Sequence, residues 1–153
     1  MAPIHFKCKK VIPVLPASIA SEIADTSKWS EFKGYAFLPG IRKAEYEKRT
    51  DNMIGARITV ENTDGSRHVE EILVWKPGEK ITMKLCEFSP PLNRLATHFL
   101  EEWTFTQEGT GTKVTRSFQL FPKSVLTRPF LWLISLVFRR AINAHLDWMA
   151  LKK

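Results

Sequence analysis

The sequence predicts an α+β fold in which a curved antiparallel sheet of about seven strands wraps around one long C-terminal helix. From Ile41 to residue 121 most segments alternate apolar and polar residues with a period of two, which is typical of strands with one buried face. The turns between these segments are short, so neighbouring strands should pair antiparallel. From Pro129 the apolar residues take up helical spacing. A sheet curved around a helix can enclose a hollow, and we expect the function to lie inside it.

Composition limits the possible classes of protein. A chain of 153 residues with 44% hydrophobic residues can bury a sizeable core, and we expect a single domain over residues 1–153. Cys8 and Cys86 are too far apart for a disulfide framework or a metal-binding motif. The first ten residues lack the apolar core of a signal peptide, so we expect a reducing, cytoplasmic setting.

The net charge of +7 raises the question of nucleic acid as a partner. The basic residues are spread from Lys7 to Lys153 and are interleaved with acidic residues through the strands. No compact basic run and no pairing of basic with aromatic residues, as in an RNA-binding sheet, is present. We therefore expect no nucleic-acid binding.

The N-terminal part begins with one strand and two short helices. The strand is predicted over residues 4–14 and ends at prolines. Ser27 is expected to cap the second helical turn, after which segment 34–40 forms a loop. The apolar face of the first helix consists of Ile19, Ala20, Ile23 and Ala24.

Four strands follow as a meander, beginning near Ile41, Ala56, Arg67 and Ile81. The turn at residues 77–78 decides which acidic residue faces inward. A tight turn would pair Val74 with Ile81 and would place Glu70 on the inner face. A looser turn would place Glu71 there instead, and the pattern favours Glu70.

The last two strands, over residues 98–105 and 113–121, form a hairpin with its turn at residues 109–111. The aromatic pattern predicts that Phe105 pairs with Val114, because a slip by one residue would turn every aromatic side chain outward.

This register places two charged side chains on the inner face. Trp103 lies opposite Arg116, and Glu101 is the diagonal neighbour of Arg116. A buried charge requires a partner, so Glu101 and Arg116 should pair with each other or with the polar end of a ligand. Arg116 can also lie over Trp103 as a cation–π partner or grip a carboxylate or phosphate.

The C-terminal helix should begin at Pro129 with Thr127 as its cap. His145 is either a hydrogen-bonded core residue or a proton donor or base near the pocket. The predicted buried stripe consists of Leu131, Ile134, Phe138, Ala141, His145 and Trp148.

The segment 130–138 is apolar on almost every side, although it is far shorter than the roughly 20 residues that span a bilayer. Arg128, Arg139 and Arg140 flank it. One interpretation is a surface that contacts a membrane or admits a ligand, and the other is that the short helices or a second subunit of a homodimer cover it. The apolar residues not used by the predicted core are Trp132, Leu133, Leu136 and Val137.

Four segments together resemble the START and birch-pollen-allergen-like (SRPBCC) superfamily: ASIASEIADTSKWSEF, LPGIRKAEY, EEILVWKPGEKI and GTGTKVTRSFQL. The resemblance implies a helix-grip fold with a cavity between the sheet and the long helix. Members of the superfamily bind sterols, phospholipids, quinones, polyketides or plant hormones, and a minority catalyse cyclisation or dehydration. The superfamily has no universal catalytic motif, so no catalytic residue is carried over.

The first functional hypothesis is binding, and possible transport, of a small hydrophobic or lipid-like ligand in this cavity. One alternative is a polyketide cyclase or dehydratase that uses His145 or Glu101 as acid or base, and another is a partner-binding regulatory module with a filled core. We expect no cofactor and no metal, because the histidines are not at metal-ligand spacing. The predicted ligand-binding residues are Ile58, Glu70, Ile72, Met83, Phe99, Glu101, Trp103, Arg116, Phe118, Ile134, Phe138 and His145.

Overall fold

A computed structural model, which describes residues 2–152, shows a seven-stranded antiparallel sheet with a long helix against its inner face. The strands are β1 (Ile4–Ile12), β2 (Ile41–Lys48), β3 (Arg57–Asn62), β4 (Arg67–Lys76), β5 (Lys80–Cys86), β6 (Ala96–Glu108) and β7 (Gly111–Pro122). The helices are α1 (Pro16–Ala24), α2 (Arg128–Leu151) and two 3₁₀ helices, Thr26–Glu31 and Leu92–Arg94. The fold class predicted from the sequence is confirmed.

The strand order is β1-β7-β6-β5-β4-β3-β2, so the first strand pairs with the last. Only β1 departs from the order of the chain, because α1, the 3₁₀ helix and a loop carry the chain from β1 to the far edge at β2. α2 then crosses the inner face and packs against β1 and β7. No helix within residues 2–152 is long and apolar enough to cross a membrane.

Aromatic side chains join α2 to the sheet. The ring of Phe138 lies 4.7 Å from that of Phe118 on β7 and 5.5 Å from that of Phe6 on β1, measured between centroids. Burying a side chain of this size stabilises a fold by about 1.5–3 kcal/mol. The alternation along β6 and β7 supplies these contacts, since every second residue faces the helix.

The predicted register of the β6–β7 hairpin is found, with Phe105 opposite Val114 and Trp103 opposite Arg116. The turn between β4 and β5 differs from the prediction. Val74 pairs with Thr82, not with Ile81, because the turn is one residue longer than predicted.

Glu70 nevertheless faces inward, as predicted, and is 6% exposed. A β-bulge between Ile72 and Val74 absorbs the extra residue of the turn and restores the register towards Glu70. The looser turn alone would have placed Glu71 inside.

Two details at the helix ends differ from the predictions. Ser27 does not cap the first 3₁₀ helix; the carboxylate of Asp25 does so by accepting hydrogen bonds from the backbone N–H and the hydroxyl of Ser27, at 3.1 and 2.6 Å. Thr127 precedes α2 as predicted, but its hydroxyl bonds with Ser124 and caps no N–H of the helix.

The buried stripe of α2 is also shifted from the predicted one. Trp148 is 47% exposed, and Leu146 and Met149 take its place. The predicted positions alternate steps of three and four residues, which is on average less than the ~3.6 residues per turn of a straight α-helix. The difference in helical phase between predicted and observed stripes therefore grows towards the C-terminus. The buried positions are Leu131, Ser135, Phe138, Ala141, Ile142, Leu146 and Met149.

Candidate functional site

A cavity of about 310 Å³ lies between the inner face of the sheet, α2, the first 3₁₀ helix and the loop before β2. This volume is at the lower end of the roughly 300–1,000 Å³ found for small-molecule sites. Most of the lining is apolar. Its apolar members include Trp29, Phe32, Met83, Leu85, Phe88, Phe99, Phe118, Ile134, Phe138, Ile142 and Met149.

The cavity is partly open to solvent, and residues of two loops line it. Phe37, which is 68% exposed, and Pro39 border it from the loop before β2. Pro90 and Leu92 border it from the segment between β5 and β6. The exposed Arg67 at the start of β4 also lines the cavity, so its border is partly apolar and partly polar.

Arg116 is the centre of a buried polar cluster in the cavity wall. Its Nε and Nη2 donate to Oε2 of Glu101 at 2.7 and 2.5 Å, and its Nη1 donates to Nδ1 of His145 at 2.9 Å. The guanidinium lies 4.1 Å from the ring centroid of Trp103. β6, β7 and α2 each contribute to this cluster, so it joins the sheet to the helix.

The Arg116 contact fixes the tautomer and the charge of His145. A guanidinium can only donate, so Nδ1 of His145 accepts and the proton of the neutral ring is on Nε2. Burial, with further contributions from Arg116 and Lys152, lowers the pKa of His145 to about 3. The ring is neutral at physiological pH and offers an N–H donor.

Burial raises the pKa of Glu101 above its ordinary value; Arg116 opposes this shift, and the nearby Glu70 adds to it. The indole N–H of Trp103 is buried without a hydrogen bond of standard geometry among the described residues, and it lies close enough to Glu101 to lower the pKa of that carboxyl. The cluster is thus held mainly by the Arg116 contacts.

A second polar pair borders the same cavity on β4. Nε2 of His68 and Oε2 of Glu70 are 2.9 Å apart, and both side chains are almost buried. The ring of His68 lies 6.1 Å from that of Phe88, between centroids. The cavity therefore has two groups of buried polar side chains in a mostly apolar wall, and exposed polar residues such as Lys28 and Asp64 also line it.

Of the residues predicted to bind a ligand, all but Ile58 and Ile72 border the cavity. These two are 0% and 1% exposed and lie in the packed core. Alternation along β3 and β4 correctly placed them on the inner face, but it does not show where packing leaves empty space.

Several lining residues were not predicted. Phe88 and Leu92 lie between β5 and β6, and Trp29 and Phe32 lie in and after the first 3₁₀ helix. The first 3₁₀ helix carries no periodic signal that would orient it towards the sheet. The nearest available signal was that Phe88 and Leu92 are apolar residues on either side of the two prolines at positions 90 and 91.

The outer face of α2 is not covered by the short helices. Trp132, Leu133 and Leu136 are about half exposed, whereas Val137 is half-buried. The prediction that the short helices cover these residues is therefore wrong.

Known proteins resemble this chain along most of its length. The family model described as "Polyketide cyclase / dehydrase and lipid transport" matches residues 3–151. No curated protein matches the sequence.

Several solved structures share the fold. The Zhui aromatase/cyclase from Streptomyces sp. R1128 has a TM-score of 0.74 at 12% identity, over 97% of this chain and 92% of that one. A START superfamily protein from Mycobacterium smegmatis has a TM-score of 0.72 at 10% identity, over 97% of both chains. TTHA0849 from Thermus thermophilus has a TM-score of 0.72 at 14% identity, over 97% of this chain and 98% of that one. At such identities the likeness shows the fold alone.

Proposed function

Because the chain belongs to the polyketide cyclase/dehydrase and lipid transport family, we propose that it binds a small, largely apolar molecule in the cavity between the sheet and α2. The observation that carries the proposal is a mostly apolar cavity of about 310 Å³ in which the buried Glu70, Glu101 and Arg116 are each paired with another side chain of the wall. Such a wall stabilises an apolar body by burial and orients it through a small number of hydrogen bonds.

The polar cluster defines the ligand's polar end. The remaining N–H groups of Arg116 and the indole N–H of Trp103 are donors, and the carboxylates of Glu101 and Glu70 are acceptors. A hydroxyl, carbonyl or carboxylate group fits this set. The ligand we propose is therefore an apolar molecule with one such group, the rest of it lying against residues such as Phe99 and Ile142.

The cyclase or dehydratase alternative has less support. A general base works best with a pKa near the operating pH, and His145 has a pKa of about 3 with its Nδ1 already occupied by Arg116. Glu101 is held by two N–H groups of the same guanidinium. The pairing of Arg116 with both Glu101 and His145 favours binding over proton transfer.

The third hypothesis, a regulatory module with a filled core, requires that the aromatic side chains occupy the hollow. The cavity volume of about 310 Å³ argues against it.

Titration with the fluorescent apolar anion anilinonaphthalene sulfonate tests the proposal. Ile134→Trp places a larger side chain into the cavity lining, whereas Leu136→Trp makes a matched change on the exposed face of the same helix. We expect saturable binding to the unmodified protein and to Leu136→Trp, and at least tenfold weaker binding to Ile134→Trp. Thermal unfolding of each variant provides the control for folding. Equal affinity in all three proteins would show that the probe does not use this cavity.

A further inference from the structure

The N-terminal end of α2 and the turn before it carry an exposed apolar surface, here called the helix-end surface. Leu126 is 83% exposed, Val125 72% and Phe130 60%. A soluble domain rarely leaves so many large apolar side chains together in water without a partner. The helix-end surface consists of Val125, Leu126, Phe130, Trp132, Leu133 and Leu136.

The charge around the helix-end surface has one sign. The sequence from residue 109 to residue 146 contains no aspartate or glutamate. Lys123, Arg128, Arg139 and Arg140 flank the surface, and none of them forms an ion pair within residues 2–152. Other cations, such as Lys7, also lack an ion pair within residues 2–152. What distinguishes these four is that they border exposed apolar side chains in a stretch of sequence without acidic residues, and this favours an anionic partner.

Along α2, the exposed apolar residues of the helix-end surface come first and the basic residues Arg139 and Arg140 come after them. Trp132, Leu133 and Leu136 lie on the outward side of the first turns, and Arg139 and Arg140 follow. At about 1.5 Å per residue, Arg139 lies roughly 9 Å beyond Leu133 along the axis. Interfacial helices lie in the plane of the membrane surface, with an apolar face buried about 5–10 Å into the boundary between headgroups and acyl chains and with basic residues at headgroup level. Arg128 before the apolar residues of α2 and Arg139 and Arg140 after them fit this in-plane arrangement.

We propose that the helix-end surface docks onto an anionic lipid bilayer. The apolar residues insert below the headgroups, and the four flanking cations contact the anionic phosphates. A second copy of the chain fits less well, because a two-fold contact places the same surface against itself and brings both sets of unpaired arginines together.

The helix-end surface adjoins the rim of the cavity. The backbone N–H of Lys123 donates to the carbonyl of Leu95 at 2.9 Å, and its Nζ donates to the carbonyl of Asn93 at 3.0 Å. Leu92 and Leu95 both line the cavity. A docked protein would bring this rim close to the lipid, where an apolar ligand could pass between bilayer and cavity; this last step rests on the proposed function, whereas the docking itself does not.

Co-sedimentation with vesicles tests the docking. The protein should bind vesicles of phosphatidylcholine mixed with phosphatidylserine at low salt, and binding should weaken as salt rises or phosphatidylserine is omitted. Leu133→Ser combined with Leu136→Ser should abolish binding. Val11→Ser combined with Leu73→Ser changes two exposed apolar residues on β1 and β4 and should leave binding unchanged.

Neutralising the flanking cations tests the electrostatic part of the docking. Each basic residue at an anionic surface strengthens binding about fivefold, so Arg139→Gln combined with Arg140→Gln should weaken binding roughly 25-fold. Lys7→Gln combined with Lys9→Gln removes the same charge from β1 and should have a much smaller effect.

Three results would overturn the docking proposal: no binding to the anionic vesicles at low salt, equal loss in the helix-end and control variants, or a dimer in light scattering that Leu133→Ser dissociates. The vesicle assay contains no dye and the dye titration contains no vesicles. Failure of one proposal is therefore distinguishable from failure of the other.

Discussion

At the scale of single residues, Arg116 holds the buried polar cluster together. The residue is 6% exposed, and its guanidinium contacts Glu101, His145 and the ring of Trp103. Removing one member of a buried ion pair leaves an uncompensated charge, which is costlier than the net stabilisation of the pair.

We therefore expect Arg116→Ala to lower the free energy of unfolding by about 3–5 kcal/mol. Arg42→Ala, which removes an exposed pair with Glu61, should have a much smaller effect, because water screens the charges of that pair. Denaturant unfolding measures both. Replacing Glu101 and Arg116 together by leucine should recover much of the loss, and a neutral Arg116→Ala would contradict the role assigned to the pair.

His145 gives a pH-dependent prediction. The unfolded chain protonates this histidine near pH 6.5, whereas the folded protein excludes the proton down to about pH 3. Stability contributed by the neutral ring is thus complete above pH 6.5 and is lost as the pH falls, by at most about 1.4 kcal/mol per unit. Glu101, whose pKa is raised by burial, acts in the opposite direction.

The comparison of unmodified protein with His145→Phe isolates this effect. Between pH 6.5 and about pH 4 the unfolding free energy of the unmodified protein should fall more steeply than that of the variant. Equal slopes would show that His145 titrates alike in the folded and unfolded states.

The sequence predicted some of these residues and not others, for physical reasons. Glu101 and Arg116 belong to adjacent strands, where alternation and a hairpin turn determine the face and the partner. The contact between His145 and Arg116 depends on how far α2 is rotated about its axis over the sheet, which no local pattern determines.

At the scale of elements, the loop before β2 shapes the mouth of the cavity. Tyr35 and Leu38 exchange two backbone hydrogen bonds, at 3.0 and 2.9 Å, which close a tight turn. Gly34 has a φ of +74°, and a Cβ there would lie 2.2 Å from the carbonyl oxygen of Leu38. Only glycine fits this position without a change in the backbone.

Gly34→Ala should therefore open the turn, displace Phe37 and weaken dye binding as well as stability. Gly78→Ala is the matched control, because Gly78 has a φ of +93° with no atom within 4 Å of an added Cβ. Its cost should be only the backbone strain of about 1–2 kcal/mol, with dye affinity unchanged. Thermal unfolding and dye titration measure the two effects, and equal behaviour of both variants would contradict the role of the loop.

Register was predictable where periodicity is strong, as in β6 and β7, although both strands extend beyond the predicted residues 98–105 and 113–121. The β-bulge after Ile72 was not predictable, because it compensates a turn whose length the sequence leaves open. The predicted buried stripe of α2 was wrong near the C-terminus, because the error in helical phase accumulates along the helix. Trp148 was predicted to be buried and is exposed in the structure.

At the scale of the whole molecule, the two ends of α2 have different surroundings. Nζ of Lys152 donates to Glu22 and Glu31 at 2.6 and 2.5 Å, which ties the C-terminal end to α1 and the first 3₁₀ helix. The N-terminal end carries the exposed helix-end surface. This arrangement fixes the helix over the sheet at one end and leaves an apolar surface near the cavity rim at the other.

The fold and the expectation of a hollow followed from strand alternation and the final helix, but the volume of the cavity did not. An aromatic residue on the inner face either lines a hollow or fills it, and only the packing of all elements together decides which. Ile58 is packed within the core, whereas Phe99 lines the cavity, although both are apolar residues at alternating positions of a strand.

Native mass spectrometry of the protein purified from cells tests the central claim most directly. The unmodified protein and Leu136→Trp should each carry a small apolar molecule that denaturation releases, and Ile134→Trp should have the mass of the chain alone. An adduct retained equally by Ile134→Trp, or unmodified protein that stays free of adducts even after incubation with lipid extract, would contradict binding in the cavity.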